Sequence, residues 1–143
     1  MNEGITRRRR AHRKSSVGRA KSSLAWWRSM AAPDFGPAAI DAMRGTIAKI
    51  AMLHERRWRD AVAGDATSAF EIALSMDPAG PCHSRLDLAM TALVICAYEG
   101  SPAACVVVAS VLSRLPRLRG KEDLADSWAL RASAVLAGRP APD

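Results

Sequence analysis

Cysteine is scarce and odd in number: Cys82, Cys96 and Cys105 are the three in 143 residues. That excludes a small disulfide scaffold, and reduced thiols fit a cytoplasmic protein. No apolar stretch follows the basic start. After Arg10 the chain reads AHRKSSVGRAKSS, so it lacks the hydrophobic segment of a secretory or twin-arginine signal. A basic, serine-rich, acid-poor start leaves an organellar transit peptide open. There is no Gly-rich phosphate loop closing on Lys-Ser/Thr, no G-x-S-x-G elbow and no carboxylate pair in an apolar setting. His54-Glu55 opens like a zincin helix, but Trp58 stands where the second histidine belongs. Cys82-His83 has no second ligand pair at metal spacing. The sequence therefore points to no catalytic, metal or cofactor residue, and the expectation is a protein that is not an enzyme. Long apolar runs are also missing. The most apolar stretch, Leu88 to Leu112, is cut by Glu99-Gly100-Ser101-Pro102 into halves too short to span a bilayer.

Charge is plentiful and unevenly placed. Residues 1–30 hold nine cations and one acid, a net +8, whereas residues 31–143 hold 12 cations and 13 acids, a net −1. Residues 1–20 have almost no large apolar side chains, which predicts a disordered basic arm. Arg7, Arg8, Arg9, Arg10, Arg13, Lys14, Arg19 and Lys21 form its cationic set. Clustered arginine suits the phosphates of nucleic acid, an acidic membrane surface or an acidic partner. A solubilising tail from a genome rich in arginine and alanine codons explains it equally: the chain has 17 Arg against 4 Lys, and 28 Ala.

Glycine and proline mark out helices, and no β-hairpin pattern is present. A short first helix is expected from about Val17 to Ala31. A second and longest one starts at Pro37, carries Ile40, Met43, Ile47, Ile50 and His54 on one face, and ends at Gly64. A third runs from about Asp65 to Met76. A fourth is capped by Ser84, with Asp87 imitating a capping box, and ends at Gly100. Ser101-Pro102 opens a fifth that stops at Pro116. A sixth covers about Lys121 to Ala137, and 139–143 is a tail. The expected fold is all-α, with residues 21–138 as one helical domain.

The second half of the chain repeats at an offset of 36. Ala61 and Gly64 correspond to Ala97 and Gly100, Ile72 and Ala73 to Val108 and Ala109, and Met76 to Leu112. Further on, Asp87-Leu88-Ala89 corresponds to Asp123-Leu124-Ala125. Helical-hairpin solenoids have periods in this range, because one hairpin cannot bury its apolar stripe without a neighbour. With Ala125 and Trp128 added, residues 61–138 resemble Sel1-like repeats, relatives of the tetratricopeptide hairpin. Met76 and Leu112 replace the family's usual aromatic, the paired loop glycines are missing, and Ala92 stands where the first unit should have Trp. The resemblance implies stacked antiparallel α-hairpins, 65–99 and 101–137, in a non-catalytic adaptor that binds a protein partner. The long helix before Gly64 would cap the stack.

Four tryptophans stand out among few aromatics. Trp26 and Trp27 follow the basic arm, and Trp58 lies between Arg57 and Arg59. Trp beside Arg is a frequent interface anchor, so Trp26, Trp27, Arg57 and Trp58 are the expected partner-binding residues. Trp128 and one of the Trp26/Trp27 pair are expected in the core. Nucleic acid bound through the arm is the alternative reading, and an arm-plus-tryptophan membrane anchor is a third.

Overall fold

The stretch His83–Tyr98 has apolar residues on every side, a composition that suits a helix with no solvent face. In the computed structural model, which describes residues 22–80 and 83–138, it forms the central helix. Leu86 and every residue from Leu88 to Ala97 are buried. Around it pack α1 (Pro37–Ile47), α2 (Trp58–Val62), α3 (Ala66–Leu74), α5 (Pro102–Arg114) and a 3-10 turn, Ser23–Arg28. The central helix is thus α4. The last helix, α6 (Lys121–Leu136), lies along α5 and meets a second 3-10 turn, Ala32–Asp34. There Trp128 is fully buried, its ring 5.6 Å from that of Phe35. The described residues contain helices and no strands, as expected for an all-α chain. No helix among them is long and apolar enough to cross a membrane.

The junctions at Gly64 and Gly100 are built alike. The Gly64 N–H donates to Ala61 O at 3.1 Å and Asp65 N–H to Asp60 O at 2.9 Å. Thirty-six residues on, Gly100 N–H donates to Ala97 O at 3.2 Å and Ser101 N–H to Cys96 O at 3.1 Å. Both are Schellman closures, which need a left-handed residue after the helix. The glycines supply it, with φ +103° and +105°. The following residue then caps the next helix. Asp65 accepts from Ser68 N–H at 2.9 Å, and Ser101 from Ala104 N–H at 3.2 Å. One residue therefore closes one helix and opens the next, which leaves no slack between them.

Three expectations need correcting. The first helix is not an α-helix: in its described part, Ser22 caps the six-residue 3-10 turn Ser23–Arg28. The second is not one long helix. From 37 to 63 it would run about 40 Å, but the 16-residue α4 it packs against offers about 24 Å. Met52 is buried too, although on a straight helix it would lie about 180° from Met43. The chain leaves the helix after Ile47, drops Met52 into the core, and restarts at Trp58. Glu55 helps redirect it by accepting from the Arg57 N–H at 3.1 Å. His54 is exposed at φ +61°, not on a buried helix face. Lastly, α4 begins at His83, so Ser84 lies inside it and is not its cap. The arm 1–20, Lys21, Cys82 and the tail 139–143 lie outside the described residues.

Two outcomes test the paired junctions. A Cβ at Gly64 or Gly100 meets nothing closer than 3.9 Å, so alanine there costs conformational energy alone. Gly64→Ala and Gly100→Ala should each lower stability in urea melts by about 1–2 kcal/mol. The caps differ in titration. Hydrogen bonds from the Ser68 hydroxyl and backbone hold the Asp65 carboxyl below its ordinary range. Its contribution is complete above the unfolded pKa and disappears as pH falls through the lower folded value. Ser101 does not titrate. Hydrogen exchange should therefore show the Ser68 amide losing protection in acid before the Ala104 amide.

Candidate interaction surface

Trp27 is fully buried, and its Nε1–H donates to Asp87 Oδ1 on α4 at 2.9 Å. Arg28 donates to the same oxygen through Nε at 3.0 Å and through Nη2. The Arg28 guanidinium also lies 5.3 Å from the Trp27 ring centroid. Asp87 thus ties the N-terminal turn to the central helix. Trp58 is buried as well, donating Nε1–H to Ile50 O at 2.8 Å. Trp26 is half-buried on the 3-10 turn. Two of the four expected partner-binding residues therefore present no ring to a partner. Both sit in apolar surroundings with a satisfied indole N–H, the usual end of a tryptophan that can reach an acceptor.

Arg57 is half-exposed and held by two acids. Its Nε and Nη2 donate to Glu55 at 2.9 and 3.2 Å, and its Nη1 to Glu71 on α3 at 3.3 Å. The hydrogen bonds that Arg57 donates hold the Glu55 carboxyl below its usual range, and the same bonds raise the guanidinium's. The cationic arm residues Arg7 to Lys21 lie outside the described residues. The remaining thiols, Cys96 and Cys105, are buried, and burial pushes both up from the ordinary thiol value. Among the described residues, no three His, Cys, Asp or Glu side chains are grouped as metal ligands.

Beside Arg57 lies a surface that the sequence reading did not single out. Helix α3 packs against α5. Short connections through α4 make neighbours antiparallel, so α3 and α5 run the same way. Residues 36 apart then present one shared face. On α3, Thr67, Phe70 and Leu74 follow the i, i+3, i+7 rule; on α5, Ala103, Val106 and Ser110 do the same. None of the six is buried. Leu74 and Val106 are 51% and 55% exposed, and Phe70 is half-buried between core and solvent. Of the three pairs only Phe70 and Val106 are both large and apolar, and the exposed Leu74 is matched by Ser110. The Phe70–Val106 correspondence at the 36-residue offset was the signal that could have found this face.

The indole tie is open to test. Asp87→Ala leaves the buried Trp27 N–H without an acceptor and should cost about 2–3 kcal/mol in urea unfolding followed by tryptophan fluorescence. Asp87→Asn keeps an acceptor oxygen and should cost less than half as much. Comparison of the chain with protein-family models, with curated proteins and with solved structures returned no match.

Proposed function

We propose that the chain is a non-catalytic interaction module. It holds a segment of a partner protein on the outer face shared by α3 and α5, and its basic arm adds electrostatic attraction. The observation that carries this reading is the exposure of Leu74 on α3 and Val106 on the adjoining α5, beside half-buried Phe70. Soluble proteins scatter single exposed apolar residues freely, but an apolar stripe on adjoining helices is the ordinary form of a groove for an extended or helical segment. Arg57, fixed by Glu71 at one edge of the face, adds a polar rim. The hairpins α3–α4 and α5–α6, with their duplicated junctions, support a kinship in architecture with tetratricopeptide and Sel1-like pairs. The 3-10 turn and α1 occupy the side of α4 that an open solenoid would leave bare. In this reading the unit is a closed two-hairpin module and does not extend into an array.

Charge favours one further role for the arm. The separation of +8 in residues 1–30 from −1 in the rest supports nucleic acid, or an acidic membrane surface, as a second ligand of the arm alone.

A pull-down at low and moderate salt, with and without nuclease, separates these readings. The same partner protein should be retained by the full chain and by a chain lacking residues 1–20, with nuclease present. It should be lost from Leu74→Glu/Val106→Glu, whose sites are exposed enough for the fold to accept charge. Capture that disappears with nuclease or with the arm transfers the activity to the arm.

A further inference from the structure

The loops that join α3 to α4 and α5 to α6 meet at one end of the molecule and enclose an open cleft of about 530 Å³. Its floor is aliphatic: Leu86 and Leu115 are 3% and 7% exposed, and Pro78 and Leu118 complete it. Its charged lining residues are Arg28 and Arg117. Such a volume, an apolar floor and a few placed polar groups are the usual make-up of a ligand site.

Arg117 is the unusual member. It is exposed, has no acidic partner among the described residues, and is held at φ +62°. A long side chain in the left-handed region is costly where glycine would be free. Such outliers cluster at ligand-holding positions. The loop is also closed from within, Lys121 Nζ donating to Leu115 O at 3.1 Å across Arg117. Arg119 adds charge to the same loop and Arg114 to the end of α5; of the acids, Glu122 and Asp123 sit in the first turn of α6, Asp77 precedes Pro78, and Asp87 is taken up by Arg28 and Trp27. Arg28 uses Nε and Nη2 on Asp87 and has no protein partner for Nη1 among the described residues.

We infer that this cleft binds an acidic–apolar peptide segment of a partner protein: a Glu or Asp carboxylate on Arg117 and the free edge of Arg28, and an adjacent Leu- or Phe-like side chain on the Leu86–Leu115 floor. Arginine forks carboxylates in two-point contacts, which sets the charge required. The aliphatic floor has no aromatic platform for a base, which speaks against a nucleic-acid strand. The cationic arm of this chain carries the wrong sign to fill it. The site uses none of the residues of the α3–α5 face, so the two proposals stand or fall separately.

The test uses the full chain and end-blocked fluorescent hexapeptides containing Glu-Leu or Asp-Phe, each paired with its Gln-Leu or Asn-Phe counterpart. Fluorescence anisotropy should show the acidic peptides binding at least tenfold tighter than the amides, with the difference shrinking as salt rises. Arg117→Gly should abolish the difference while the melting temperature holds or rises, because glycine relaxes the left-handed turn. Leu74→Glu/Val106→Glu should leave it unchanged. Equal binding of acid and amide peptides, no binding of either, or full affinity in Arg117→Gly would overturn the assignment. Octanoate binding without peptide binding would assign the cleft to small apolar acids and overturn it as well.

Discussion

The constraint on which the rest depends is the enclosure of α4. A helix carrying Leu88 to Ala97 with no polar stripe cannot face water on any side. Two neighbours, α3 and α5, cover one part of it, and the 3-10 turn, α1 and α2 cover the remainder. The N-terminal half of the domain is explained as the shell that this one helix requires. The Trp27–Asp87 bond then fixes the shell where it would otherwise slide, because a buried indole N–H accepts only one register.

The helix ends at Gly64-Asp65 and Gly100-Ser101 were legible because they are written in local chemistry. Gly64-Asp65 and Gly100-Ser101-Pro102 hold their stop and start signals within two or three residues. Such signals act through bonds between near neighbours, which sequence displays directly. The stretch from Ile47 to Trp58 was misread because its outcome depends on distant partners. Periodicity continues through Ile50 and His54, but the length of α4 and the burial of Met52 decide where the helix stops. Local pattern yields there to tertiary demand.

The same division explains the surface. Trp27 and Trp58 look like interface anchors in sequence because arginine flanks them, and only packing reveals that both indoles point inward. Leu74 and Val106 look like core residues because they sit in apolar runs, yet the chain turns them out. The arginine neighbours of Trp27 and Trp58 report on where the ring's helix meets solvent, not on the ring itself. Amphipathic pattern finds the buried face of a helix well; it does not single out an apolar residue on the opposite face.

The shared junction residues have a consequence for how such a chain can vary over descent. Asp65 and Ser101 each belong to two helices at once, so a residue inserted at either point would break a closure and a cap together. Length change is barred at that end of the molecule. At the opposite end, among the described residues, α5 ends on Leu115 and α6 opens on Gly120, two separate positions with four residues between them, so there a change of length would strike one helix end and spare the other.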